Sequence, residues 1–223
     1  MTALDSMPVA VLISGNGSNL QALIDRTDLP IRIRAVVSNE PGAFGLKRAH
    51  RAGIETRVLS HWDYRSREAY DAALGGALLD EFEPGLIVLA GFMRILTPAF
   101  VARFQGRMLN IHPSLLPRFR GLHTHQRVLE AGESVHGASV HFVTEELDSG
   151  PVVLQAKVSV MPGDDPEQLA ARVLKQEHRI YPQAIRWFAQ GRLRLDAAGR
   201  PALDGQVLEQ PLQLDALTAE QIR

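Results

Sequence analysis

Four short apolar runs alternate with helical patterns through the first half of the chain, and this rhythm limits the possible folds more than any other feature. The runs are Val9 to Ser14, Ile31 to Ser38, Leu86 to Ala90 and Met108 to Ile111; helices are expected from near Ser18, Gly42, Arg65 and Thr97. Strands separated by helices pair in parallel, because only a crossover of a dozen or more residues brings the chain back to the same end of a sheet. The expected fold class is therefore α/β, a Rossmann-like, doubly wound and mostly parallel sheet. The second half departs from the rhythm. Ala138 to Val143 and Val152 to Val160 flank a polar loop rather than a helix, which predicts antiparallel or edge strands in the C-terminal half. Pro166 to Gly191 reads as one long helix, capped by Asp164 or Asp165, with Leu169, Val173, Ile180, Ala184, Trp187 and Phe188 on one side. Pro182 is expected to kink or divide it. Past Gly191 the turn residues Gly199, Pro201, Gly205 and Pro211 suggest a small hairpin and a loose tail. The 223 residues are read as a single domain with halves at about 9–105 and 106–192, followed by the hairpin and tail at 193–223. Met7-Pro8 reads as an alternative start, because Thr2 to Ser6 carries no structural signature.

Three segments carry chemistry. Val9 to Leu20 is a strand, a glycine turn (Gly15-Asn16-Gly17) and a helix start, where main-chain N–H groups with the Ser18 and Asn19 side chains can receive an anion. The spacing is neither Gly-x-Gly-x-x-Gly nor a Gly-Lys-Ser/Thr loop, so a single phosphate fits better than a dinucleotide or a nucleoside triphosphate. Read alone, the glycines fit equally well as caps of a βα turn. Leu89 to Pro98 follows a buried strand and offers main-chain edges between Phe92, Met93, Ile95 and Leu96, suited to a flat heterocycle; ordinary core packing beside a solvated Arg94 explains it too. In the strand around Met108 to His112, Asn110 and His112 lie two apart and share a face, pairing an amide with an imidazole just before the Pro-rich loop Pro113 to Pro117. A later turn, Glu146 to Pro151, brings Asp148, an acid able to orient and charge the histidine. Such a trio suits acyl transfer without a nucleophilic side chain, although an isolated strand-end histidine is as readily a satisfied core residue.

Composition removes competing classes. No cysteine occurs, which excludes disulfides, thiolate metal sites and cysteine nucleophiles. His123 and His125 would need a third ligand to hold zinc, so no metal is expected. His136 and His141 fall along strands, and His178 lies on the long helix. A formal net charge of -1 provides no basic field for nucleic acid, and no stretch approaches the roughly 20 apolar residues of a membrane span. With no basic, apolar leader at the N-terminus, the expected location is the cytoplasm.

Ser14 to Asn19, Ser66-Arg67-Glu68, Gly91 to Leu96, Asn110 to Pro117, Gly121 to His125 and Asp148 to Pro151, taken together and in this order, resemble the folate-dependent formyltransferase family in its glycinamide ribonucleotide branch. The resemblance runs from about Val9 to Gly191. It implies transfer of the formyl group of 10-formyltetrahydrofolate, a cosubstrate, to the amine of 5-phosphoribosylglycinamide in de novo purine synthesis, by a monomer or homodimer acting on small molecules alone. The acceptor's phosphate would lie on Gly17, Ser18 and Asn19, and its glycinamide or ribose end on Glu177, preceded by Lys175; the alternative for Glu177 is a solvated helix face. The pterin would lie against Met93, Arg94, Ile95 and Leu96 and against Thr144, Glu145, Glu146, Leu147 and Asp148, with Arg67 near the glutamate tail. Asn110 and His112 would face the formyl group, Asn110 also touching the donor, with Asp148 completing the catalytic set. This sequence departs from the pattern at Arg120, where proline is common, and in the short extension before Val9. The rivals are another formyltetrahydrofolate-using formyltransferase or hydrolase of the same fold, each expected to bring an extra domain, and a phosphate-ligand binding module without catalysis. The last leaves Asn110, His112 and Asp148 without a role.

Overall fold

The computed structural model describes residues 6–222, so Thr2 to Asp5 of the proposed extension lie outside the described residues. The described chain divides into two compact units between Asn110 and Ile111.

In the first unit, strands β1 (Met7–Ile13), β2 (Ile31–Ser38), β3 (Glu55–Val58), β4 (Leu86–Leu89) and the start of β5 (Met108–His112) are ordered β5-β4-β1-β2-β3 and all run parallel. Val9 through Ile13 are fully buried along the central strand, the uninterrupted burial of a parallel strand covered on both faces. Helices α1 (Ser18–Ile24), α2 (Phe44–Arg51), α3 (Arg67–Ala77) and α4 (Pro98–Arg103) begin within two residues of the expected points. The caps explain two of these starts. Ser66 Oγ accepts from the Ala69 N–H (3.1 Å), and Thr97 Oγ1 accepts from the Phe100 N–H (3.3 Å) with Pro98 in the first turn. Strand β3 was not expected: Glu-Thr-Arg-Val is mostly exposed and has no apolar face to announce it, as befits an edge strand paired only with β2.

In the second unit, β6 (Val135–Phe142) and β7 (Val152–Ser159) pair antiparallel, as the polar loop between them implied. Helix α5 (Thr124–Glu130) precedes them, and α6 (Pro166–Ala189) packs on both strands. Asp165 is the N-cap of α6, in a capping box: its carboxylate accepts from the Gln168 N–H (2.8 Å), and Gln168 Oε1 accepts from the Asp165 N–H (3.2 Å). Asp164 instead pairs with Arg172 at 2.7 Å, and that guanidinium holds its carboxyl down at about 2. The helix is not divided at Pro182. It runs 24 residues through it, because Ile180, Tyr181, Ala184 and Ile185 are fully buried around the proline and their packing offsets its missing hydrogen bond, a loss of about 3 kcal/mol.

The expected hairpin is present as β8 (Leu193–Leu195) and β9 (Pro201–Leu203), extended by β10 (Gln206–Val207). The tail, however, is not loose. Strand β11 (Leu212–Gln213) joins the edge of β7 in parallel, and helix α7 (Ala219–Ile222) presents the Gln221 carbonyl to the indole N–H of Trp187 at 2.5 Å. Among the described residues no helix is long and apolar enough to cross a membrane.

Candidate active site

Strand β5 ends in Asn110, Ile111 and His112, and strand alternation puts Asn110 and His112 on the same face. The imidazole of His112 is buried, only 6% exposed. Its Nε2 lies 3.0 Å from the Phe119 carbonyl, which can only accept, so Nε2 carries a hydrogen. Its Nδ1 lies 3.4 Å from Asp148 Oδ2. The ring is thus held between a backbone carbonyl and a carboxylate.

Asp148, its side chain 8% exposed, adopts a left-handed backbone (φ +49°) and accepts from the Gly121 N–H at 2.9 Å. Its other oxygen stands 3.8 Å from His141 Nε2. Burial pushes His141 well below the usual histidine range, and its Nδ1–H is turned to the Phe142 carbonyl at 2.9 Å. His141 is thus the neutral neighbour of the carboxylate.

The loop between His112 and Phe119 is fixed from beneath. Ser139 Oγ donates to the Ser114 carbonyl (2.6 Å) and accepts from the Leu116 N–H (3.0 Å), while Gln155 Nε2 donates to the Leu116 carbonyl (2.9 Å). Arg127 on α5 donates to the Arg120 carbonyl at 2.6 Å. Phe119 and Gly121 both take positive φ, and Gly150 has no room for a Cβ against the Phe142 carbonyl, so the turn carrying Asp148 tolerates no side chain there. A cleft of about 350 Å³ opens beside Asp148, walled by Leu116, Pro117, Arg120, Pro151 and Gln155. Arg120 also pairs with Glu146 across 3.1 Å, so the departure from proline at this position ties the loop to the Thr144 to Asp148 turn.

His125 Nδ1 and His136 Nε2 lie 3.0 Å apart. Desolvation, with the neighbouring histidines adding to it, lowers both, His136 to about 4. His123 stands at the N-cap of α5 with φ +56° and no side-chain capping bond.

In the first unit, Gly17 takes φ +73° as N-cap of α1, with Ser18 and Asn19 in the first turn. Arg48 on α2 clamps the turn, donating from Nε to the Asn16 carbonyl (2.9 Å) and from Nη2 to Asn16 Oδ1 (2.8 Å). No local pattern could reveal this arginine, which lies 32 residues from its partner. In the Leu89 to Pro98 segment, Phe92 and Leu96 are buried while Met93 (68% exposed) and Ile95 (51%) project outward. Arg94 is half-buried: its guanidinium lies 5.1 Å from the centre of the Tyr70 ring, and its Nε is buried without a hydrogen-bond partner among the described residues. Arg67 is exposed at the start of α3, and Thr144 through Leu147 are exposed around their turn. On α6, Glu177 is buried, which overturns the reading of a solvated helix face, and Lys175 is exposed. Two residues apart on a helix, they point about 200° from each other about the axis and do not share a face.

The structure thus brings His112, Asp148 and His141 together in the second unit and places Asn110 on the same face of β5 as His112. The sequence had marked His141 only as a strand residue.

The formyl transferase family model matches residues 7–185. The phosphoribosylglycinamide formyltransferase of Escherichia coli K12 is 56% identical over 205 residues, covering 91% of this chain and 96% of the relative. A human trifunctional purine biosynthetic protein, adenosine-3, is 48% identical over 195 residues, which are 86% of this chain and 19% of that protein. Among solved structures, the phosphoribosylglycinamide formyltransferase of Coxiella burnetii is 50% identical with a TM-score of 0.89, covering 93% of this chain and 99% of that one. A match over most of the chain, with the Escherichia coli and Coxiella burnetii relatives covered over nearly their full length, shows that the chain belongs to the formyl transferase family.

Proposed function

We propose that this chain transfers the formyl group of 10-formyltetrahydrofolate to the amine of 5-phosphoribosylglycinamide, giving N-formyl phosphoribosylglycinamide and tetrahydrofolate in purine synthesis. The observation that carries this reading is the buried pair of His112 and Asp148 at 3.4 Å, on a chain whose relatives bear the name phosphoribosylglycinamide formyltransferase.

The neutral amine attacks the formyl carbon directly, since the chain has no thiol and the pair contains no hydroxyl to form a formyl-enzyme. The carbonyl π electrons move to oxygen, and the Asn110 amide donates to the oxyanion; removing a donor of this kind costs roughly 2.7 to 4 kcal/mol in enzymes that use one. Collapse expels folate N10. The attacking nitrogen gives up a proton and N10 gains one; His112, held at Nδ1 by Asp148, carries the transfer through Nε2, which exchanges the Phe119 carbonyl for the reacting atoms to do so. The acceptor's phosphate is assigned to Gly17, Ser18 and Asn19, and its other end to Glu177. Lys175, exposed two residues earlier on α6, is assigned to the acceptor as well. The donor's pterin is assigned to Met93, Arg94, Ile95 and Leu96 and to the residues from Thr144 to Asp148, with Arg67 at the tail.

The test is an absorbance assay of purified protein with 10-formyltetrahydrofolate and phosphoribosylglycinamide, each omitted in turn. Signal that requires both supports the reading. Signal without the nucleotide indicates a hydrolase, and nucleotide binding by calorimetry without turnover indicates a binding module.

A further inference from the structure

One hydroxyl joins the ends of three parallel strands. Ser14 follows β1 and directly precedes the glycine turn. Its Oγ donates to Asn39 Oδ1 just past β2 (2.5 Å) and accepts from the Met93 N–H past β4 (2.7 Å), while its own N–H donates to the Gly91 carbonyl (3.0 Å). Asn39 is buried, 2% exposed, and its Nδ2 donates to Glu40 Oε1 at 3.1 Å, which fixes the amide so that its oxygen meets Ser14. On one side of this junction is the Gly15 to Asn19 turn. On the other is the segment from Gly91 (φ +76°) to Leu96, whose Met93 and Ile95 side chains project to solvent and add little packing of their own. The position of the Met93 peptide therefore depends on the Ser14 hydroxyl, and the Ser14 hydroxyl moves with the glycine turn.

We propose that Ser14, oriented by Asn39, is a positioning residue that couples the two ligand sites of the first unit: a phosphate monoester on the glycine turn and a flat heterocycle on the Phe92 to Leu96 segment tighten each other's binding. This rests on the assignment of those two segments to nucleotide and folate. Ordering the turn fixes Ser14 and so presents the Met93 N–H edge in advance; ordering the Met93 edge fixes Ser14 and so presents the turn. Neither ligand need touch the serine. Linkage requires the effect to be reciprocal, each ligand improving the other's affinity by the same factor. One ordinary hydrogen bond transmits the coupling, so its size is roughly fivefold in affinity.

The test uses the full chain and titration calorimetry. Phosphoribosylglycinamide is titrated with and without saturating tetrahydrofolate, which lacks the formyl group and cannot react. In the unaltered protein the nucleotide should bind roughly fivefold tighter in the presence of tetrahydrofolate. Ser14→Ala should bring this ratio to within error of one while both ligands still bind singly, and Asn39→Ala should lower it. A serine with a merely structural role would weaken both affinities and leave their ratio alone. If Ser14→Ala does not fold, Ser14→Cys gives the same readout, because a thiol is a poor acceptor for the Met93 N–H. A ratio of one in the unaltered protein, or a ratio preserved in the Ser14 variant, overturns the coupling and leaves the assignment of function intact. Failure of either ligand to bind the unaltered protein overturns both.

Discussion

Replacing Asp148 with asparagine isolates the charge from the shape of the site. The amide keeps an oxygen to accept from the Gly121 N–H, held at 2.9 Å, so the loop retains its anchor. What disappears is the countercharge 3.4 Å from His112 Nδ1. Two unit charges at that separation in an effective dielectric of about 20 attract by about 5 kcal/mol, and with both side chains under a tenth exposed, solvent screens little of it. His141 offers no replacement, since burial keeps it neutral. If the imidazolium of His112 shares the oxyanion and moves the proton, most of that stabilisation is needed at the transition state, and a loss near 4 kcal/mol is about a thousandfold in turnover. Asp148→Asn should therefore lower kcat by about 10³ in the formyl-transfer absorbance assay and leave nucleotide affinity by calorimetry nearly unchanged. A variant that melts with the unaltered protein and turns over within about tenfold of it would refute the role assigned to the carboxylate.

The other expectations concern chemistry, binding and stability in turn. His112→Ala should cut kcat by about a hundred to ten thousandfold in the same assay while calorimetry shows nucleotide binding retained. Gly17→Ala places a Cβ 2.6 Å from Gly45 Cα at φ +73°, so it should cost about 1–3 kcal/mol in urea unfolding and weaken nucleotide affinity by calorimetry. Because His136 is lowered to about 4 and His125 is lowered too, the unfolded chain takes up protons first as pH falls. The stability contributed by these neutral rings is complete above about pH 6.5 and is lost toward pH 4, each unit of displacement being worth about 1.4 kcal/mol; urea unfolding across pH 7.5 to 4.5 should show this slope, and His136→Gln should flatten it. Arg120→Ala breaks an ion pair whose side chains are 41% and 76% exposed, so thermal melting should register less than about 1 kcal/mol.

The parts of the fold legible in the sequence are those in which burial follows the chain itself. Val9 to Ile13 is apolar at every position because helices cover both of its faces, and the run is a strand on sight. Glu55 to Val58 is as much a strand, yet it borrows its order from β2 and shows no pattern of its own. The tail from Leu212 to Ile222 is illegible in the sequence for the same reason: two residues of pairing on β7 and an indole bond from Trp187 are supplied by partners far along the chain. In the site, Asn110 and His112 were legible through strand alternation, and Asp148 through the turn glycine together with the family resemblance. Arg48 and His141 were not, since each acquires its role from a group brought near only by folding.

A common topological cause lies behind the legible part. In a parallel sheet every strand leaves its last residue at the same edge, so chemistry gathers there without any side chain reaching across the sheet. Ser14 after β1, Asn39 after β2 and Gly91 and Met93 after β4 all occupy such positions. The glycines at 17 and 91, both at positive φ, lie at two of these exits, where the backbone must turn sharply into a helix or loop. Side chains at strand ends are held by two sheet neighbours and are therefore preorganised, whereas Thr144 through Leu147, exposed around a turn, are not. It follows that substitutions at the strand ends should act chiefly on turnover and on coupling between ligands, while substitutions in the exposed turn should act chiefly on donor affinity. A scan in which Thr144→Ala and Glu145→Ala lower kcat as far as His112→Ala does would break that division.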